Sequence, residues 1–397
     1  MSDHIDVTRP SFPMLRQLLT KPASSECWRQ LREMFDHWPG GEDKLVARDY
    51  AEAHLATWDD SLRVLYKVDF LDPVWSLAKT LNVSNQSAPL YTMENLDDIA
   101  PPIHIRRLRI RYVDWLKLSA SSLRKFSHIE HLTLSHCIRQ DTLSFEDIEL
   151  PQLKSLTLLQ CDDVTRVFGL AQFPNLRSLK MTRLLRLKSL RFLAQLSTLE
   201  ELKLTSCIRL QDFSPISAHP ELQRLHIGGL DEANDLKELR KLTELRSLFV
   251  SDCKFVRDFS FLHPLKKLEE LELCGAHRIS SFDVEQHLPE LRTLIVRDNP
   301  WLATRELKSD SLEIVYFSWL WSLKELTLDS LPRLKKLTLK CAPRLQKKDI
   351  TLKQAPAALA SLNLWGGPEG QGLSVSLESQ KEVQSFLRKL PQNSFDF

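Results

Sequence analysis

Four groups of residues in this chain are candidates for a reactive or ligand-binding role. His128, His131, His136 and Cys137 lie close together, and imidazole with thiolate is a ligand set for zinc-like ions. Arg106, Arg107, Arg109 and Arg111 form the densest arginine run, with Tyr112 and Trp115 nearby. Guanidinium and aromatic groups in such a cluster can hold phosphate or stack on bases. Gly366-Gly367-Pro368-Glu369-Gly370-Gln371-Gly372 is rich in glycine, as phosphate-cradling loops are. Seven cysteines complete the set.

Each group has a plainer reading. The glycine stretch lacks the Lys-Ser/Thr that follows in a phosphate loop, and no strand–glycine–helix unit surrounds it. There is no Cys-x2-Cys pair, no Gly-x-Ser-x-Gly elbow and no His-Glu-x-x-His. The arginines read most simply as a solvated edge strand whose charge deters pairing. We therefore expect no enzyme activity, no cofactor and no metal.

The elements that would position these residues are set by a repeat. An LxxLxL template begins at Ile105, Ile129, Leu153, Leu176, Leu199, Leu222, Leu245, Leu268, Leu291, Leu312, Leu334 and Leu359. Six successive spacings are 23 residues. With the first apolar residue as position zero, +8 holds Cys137, Cys161, Cys207, Cys253 and Asn299, and apolar residues recur near +11, +14 and +17. Alternation within LxL is the pattern of a half-buried strand. Apolar residues at every third position suit a 3-10 or extended return. One such unit cannot bury its apolar face alone, so neighbours must stack. An extra LxxLxL at Leu323 stands eleven residues from its neighbours at Leu312 and Leu334. That is too short for a full coil, so Leu312 and Leu334 are read as inner strands and Leu323–Leu328 as return side.

This pattern resembles the leucine-rich repeat family, whose signature is LxxLxLxxN/CxL. The resemblance covers residues 103–365, and Leu210-Gln211-Asp212-Phe213-Ser214-Pro215-Ile216 is similar to its short, internalin-like repeats. It implies an α/β leucine-rich repeat solenoid with a parallel inner sheet, a helical N-terminal cap and a short C-terminal cap helix. It also implies a scaffold or adaptor that binds a macromolecule rather than an enzyme.

The expected domains are a helical cap or small docking domain over 1–100, about twelve coils over 101–365, and a C-terminal cap over 366–397. Trp28, Leu31, Phe35 and Trp38 repeat at helical spacing, and Gly40-Gly41 ends that segment. Ala51, Leu55, Trp58, Leu62 and Leu65 suggest a second helix and Pro73–Leu81 a third; Pro101-Pro102 marks the boundary. Val383, Phe386, Leu387 and Leu390 form one face of a closing helix.

Composition narrows the partner. Net charge is +2, with 43% hydrophobic and 27% charged residues. No global field favours nucleic acid or an acidic membrane. No apolar run approaches the ~18 residues of a membrane span, and the first residues lack a secretory pattern. Inward-facing, unpaired thiols suit a reducing compartment, so a cytoplasmic location is expected, or delivery to a host cytosol if the protein is an effector.

The inner wall exposes positions +2, +4 and +6. Its middle coils carry Lys203 and Arg224, and its later coils Phe249, Ile295, Ile314, Tyr316 and Arg297, with Trp319 at a strand end. Aromatic and apolar groups ringed by charge are what a protein-binding hot spot needs. The expected ligand is a protein held by these residues. The alternative is a nucleic acid or phosphate headgroup held by Arg106–Arg111.

Overall fold

The structure is a computed structural model and describes residues 6–66, 78–83, 105–111, 123–137, 141–229, 236–252, 259–275, 283–298, 303–366 and 375–390. The expectations for Pro73, Pro101-Pro102, Tyr112, Trp115, Cys253, Asn299 and Gly367–Gly372 lie outside these residues. The chain divides into two compact units, Met1–Leu176 and Arg177–Phe397.

The first unit opens with helices α1 (Phe12–Leu19), α2 (Ser25–His37) and α3 (Glu42–Leu55). Ser24 caps α2 by accepting from the Cys27 N–H at 3.1 Å, satisfying one of the orphan donors of the first turn. Trp28, Leu31, Phe35 and Trp38 are buried, as their spacing predicts. Strands β1 (Val64–Tyr66), β2 (Thr80–Val83), β3 (Arg107–Arg111), β4 (His131–Ser135), β5 (Thr142–Ser144), β6 (Ser155–Leu159) and β7 (Arg166–Phe168) follow. β1, β2, β3, β4 and β6 pair in parallel, each with the next, and β5 pairs with β7 separately. Two differences from the sequence reading emerge here. Leu65 and Leu81, expected in helices, lie in β1 and β2, so the sheet begins before the first recognisable template. β3 therefore has a hydrogen-bonded neighbour on both sides and is not an edge strand.

The second unit is a longer stack. Its inner sheet runs β8 (Ser178–Thr182), β9 (Glu201–Thr205), β10 (Arg224–Gly228), β11 (Ser247–Ser251), β12 (Glu270–Cys274), β13 (Thr293–Arg297), then β15 (Ile314–Ser318), β17 (Lys336–Lys340) and β19 (Ser361–Trp365). All pair in parallel, residue for residue. β14 (Thr304–Lys308), β16 (Glu325–Asp329) and β18 (Ile350–Leu352) form a separate parallel sheet. Leu323–Leu328 thus feeds the second sheet, while the coils starting at Leu312 and Leu334 supply the inner strands, as expected. β20 (Val375–Leu377) closes the inner sheet antiparallel to β19. Helix α4 (Gln380–Leu387) packs beside it, with Val383, Leu387 and Leu390 buried.

The leucine-rich repeat fold follows from this register. Leu202, Leu225, Leu248, Leu271 and Leu294 are fully or almost fully buried and paired across successive strands. Returns pass through 3-10 turns such as Arg191–Gln195, Ser214–Ala218 and Lys237–Lys241. A second device repeats with the leucines. The residue at +7 has positive φ in ten successive coils: His136, Gln160, Arg183, Ser206, Gly229, Asp252, Gly275, Asp298, Trp319 and Cys341. This left-handed residue turns the chain out of the strand. Its N–H is then used by the next coil: Arg183 donates to the Thr205 carbonyl at 2.9 Å, Ser206 to Gly228 at 2.8 Å and Trp319 to Lys340 at 2.9 Å.

Among the described residues, no helix is long and apolar enough to cross a membrane.

Candidate functional site

Strand alternation sorts every inner strand into two faces. In β13, Leu294 and Val296 are buried while Thr293, Ile295 and Arg297 face outward. Because the strands pair in register, the outward residues line up in rows, with neighbours about 4.8 Å apart. One row of the second unit reads Lys203, His226, Phe249, Glu272, Ile295, Tyr316 and Thr338. A flanking row contains Arg224, Ser247, Glu270, Thr293, Ile314 and Lys336. The other flank contains Cys274, Arg297, Ser318, Lys340 and Trp365.

The structure therefore brings Lys203, Arg224, Phe249, Ile295, Arg297, Ile314 and Tyr316 onto one sheet face. Trp319 stands one residue beyond the end of β15. Ile314 is 40% and Trp319 48% exposed. Phe249, Ile295 and Tyr316 are half-buried by their row neighbours. The His226 and Phe249 rings lie 3.9 Å apart. Arg297 covers the Tyr316 ring at 5.3 Å, and Lys340 approaches it at 5.9 Å. Such cation–π contacts hold an aromatic side chain in place while leaving its edge accessible. Arg297 also bonds Glu272 at 3.2 Å. Burial, with help from the Lys203 charge, lowers the His226 pKa to about 4. That imidazole is neutral at pH 7, which removes one charge from the centre of the patch.

Sequence reasoning missed Trp321, which is 44% exposed and 5.8 Å from the Trp319 ring. It lies at +9 of its coil, in the turn that follows the strand, a position outside the +2, +4 and +6 rows from which the outward face was read.

The first unit has a different face. Leu108 and Ile110 are buried, and Arg107, Arg109 and Arg111 share the opposite side of β3, as the alternation predicts. Arg109, Arg111, Thr133, Ser135, His136, Thr157, Leu159 and Gln160 line a recess of about 360 Å³. Arg106 points elsewhere, donating to the His128 carbonyl at 3.4 Å. Burial, then the neighbouring Arg107, lowers the His131 pKa to about 4. Reading the arginines as guards of a sheet edge is corrected by the pairing of β3 with β2.

His128, His131, His136 and Cys137 do not converge on a point where one ion could sit. Among the described residues, the convergent set is His263, Asp283 and His287. Cys137, Cys161 and Cys207 are buried and free at the inward slot that the repeat assigns them. Cys137 shares a thiol hydrogen bond with Cys161, and this together with burial holds its pKa well above the ordinary thiol value. Burial pushes Cys207 up to about 11.

No protein-family model and no curated protein matches the chain. Solved structures do. An internalin from Listeria monocytogenes is similar at 18% identity over 88% of this chain and 94% of its own, with a TM-score of 0.45. TLR13, solved as a TLR13–ssRNA13 complex, is similar at 18% identity over 76% of this chain and 59% of its own, with a TM-score of 0.39. The leucine-rich repeat domain of the type III effector XopL is similar at 20% identity over 72% of this chain and 96% of its own, with a TM-score of 0.36.

Proposed function

We propose that this leucine-rich repeat protein is a non-enzymatic scaffold or adaptor that binds a protein partner on the inner face of its later coils. Phe249, Ile295, Ile314, Tyr316 and Trp319 supply the apolar contact. Lys203, Arg224 and Arg297 supply the charged rim. The buried, free thiols suit a protein that works in the cytoplasm.

The observation that carries this reading is Trp319. It occupies the left-handed +7 position, with φ of 57°, where Gly229 and Gly275 serve other coils. A bulky side chain there costs about 1–2 kcal/mol relative to glycine. The indole does not recover that cost by burial, since it is 48% exposed. Most other coils also place a non-glycine residue at this position, so the backbone belongs to the frame. What sets this coil apart is a large exposed indole there, beside the exposed Trp321 ring at 5.8 Å, and exposed aromatics of this kind are what hot spots are built from.

The test compares two variants after a partner has been captured. In Phe249/Ile295/Tyr316 triple alanine, loss of hot-spot contacts should weaken binding by at least about 2 kcal/mol, or some thirtyfold. Arg107/Arg109/Arg111 triple alanine should bind normally. Normal binding by the first variant and failure of the second would place the contact in the early coils instead.

A second reading has its own support. Because β3 is not an edge strand, sheet-edge protection does not account for its arginines. The recess they share with Thr133, Ser135 and Thr157 offers guanidinium and hydroxyl donors suited to a phosphate group or nucleic acid. Affinity for such a ligand falls steeply with salt, whereas contact through Phe249 and Trp319 would be far less salt-sensitive.

A further inference from the structure

We propose that His263, Asp283 and His287 form a binding site for one divalent transition-metal ion of the zinc class. The ion would clip together the return segments of two successive coils. This is independent of the inner-face reading.

The geometry comes first. Each of the three residues offers one ligand atom, and these atoms lie within 4.8 Å of one another. The two imidazole rings sit side by side, with centroids 3.8 Å apart and planes at 32°. These stacked rings present nitrogens toward the same side, and a rotation that splays the rings by about an ångström lets both nitrogens meet one tetrahedral ion. Zinc bound tetrahedrally at 2.0–2.1 Å spaces its ligands about 3.4 Å apart. The donors need to close by roughly an ångström, which side-chain rotation supplies without moving the backbone.

The donor set selects the ion. Two imidazole nitrogens and one carboxylate oxygen suit zinc, cobalt or nickel. Calcium and magnesium favour all-oxygen shells. With neutral imidazoles the three groups carry one negative charge, which favours a cation. Three protein ligands leave a fourth tetrahedral position for water.

The frame holds the donors from two coils. His263 caps the 3-10 turn Ser260–Leu262 that follows β11. Asp283 precedes, and His287 ends, the 3-10 turn Val284–His287 that follows β12. Between these two ligands the chain is pinned from below. Glu285 turns inward and forms an ion pair with Arg305 of β14, their side chains 0% and 3% exposed. A buried pair of this kind is costly to break, so it fixes the turn on which Asp283 and His287 are mounted. Lys266 donates to the His287 backbone carbonyl at 2.8 Å, tying that turn to the preceding coil.

Cobalt(II) reads this directly. The metal-stripped full chain should take up one equivalent of cobalt, with the visible absorption of a four-coordinate nitrogen and oxygen site, and zinc should displace it. His263→Ala and His287→Ala should each weaken uptake by at least about tenfold, and Asp283→Asn should weaken it less. His37→Ala, on α2, should leave it unchanged. Zinc should raise the melting temperature of the parent chain but not of the two histidine variants, whose metal-free melts should match the parent. No uptake at one equivalent overturns the proposal. So does uptake that survives both histidine variants, or a near-ultraviolet thiolate-to-cobalt band, which would place the metal on cysteine.

Discussion

The arginine face of the early coils and the aromatic face of the later coils are built on the same frame. In β3 the outward positions are Arg107, Arg109 and Arg111 over buried Leu108 and Ile110. In β15 they are Ile314, Tyr316 and Ser318 over buried Val315 and Phe317, with Ser318 itself covered. The inward residues are nearly interchangeable, while the outward ones differ in charge and polarity. Stability therefore belongs to the inward rows, and the recognition proposed above to the outward ones, so a substitution should affect one without the other.

The largest expected effect breaks the frame under either face. Leu156→Ala in β6 and Leu225→Ala in β10 should each lose about 2–5 kcal/mol, because a buried leucine leaves a cavity that the stack cannot close. Lys203→Ala, outward and next to Leu202, should stay within about 0.5 kcal/mol. Urea melts decide this. Equal losses for Lys203 and Leu225 would mean that the two faces are not separated as described.

A smaller effect separates stability from binding at a single residue. Trp319→Gly relieves a left-handed non-glycine residue, a gain that the freer unfolded chain largely offsets, so stability should stay within about 1 kcal/mol of the parent. The same substitution should weaken binding of the protein partner. A variant that binds as well as the parent would remove Trp319 from the contact surface.

Each face also carries one imidazole that resists protonation, His131 among the arginines and His226 beside Lys203. Both have folded pKa values of about 4 against an ordinary 6.5. The unfolded chain therefore binds protons first as pH falls. Stability should be level above about pH 6.5 with respect to these groups and should drop between 6.5 and about 4. Equilibrium unfolding at stepped pH should show this slope, and His131→Gln with His226→Gln should flatten it. If only one substitution flattens it, the two faces differ in how far they exclude water.

The smallest effect is a rate with no change in fold. Cys137, Cys161 and Cys207 should react slowly with a thiol reagent in the native protein and quickly in urea, since all three are buried and a reagent reaches them only when the coil opens. Fast native labelling at any of them would show that its coil opens.

The frame was legible in the amino-acid pattern. Burial within a coil is a local pattern, so LxxLxL marked the inward leucines, the cysteine slot and the outward rows. The eleven-residue spacing at Leu323 was enough to exclude a full coil, because a strand plus its return needs about twice that length. The same pattern placed Phe249, Ile295, Ile314 and Tyr316 outward. Features that depend on neighbouring coils were not legible there. β1 and β2 are three and four residues long and lack the template, so only pairing with β3 identifies them as strands and shows that the arginines are not at an edge. The positive φ at +7 falls on His, Gln, Arg, Ser, Asp, Trp and Cys as well as Gly. No residue type signals it, because the reversal of the coil imposes it. His263 and His287 stand 24 residues apart. They meet because stacking carries the chain back to nearly the same place once per coil, a proximity that exists only after the coils have closed on one another.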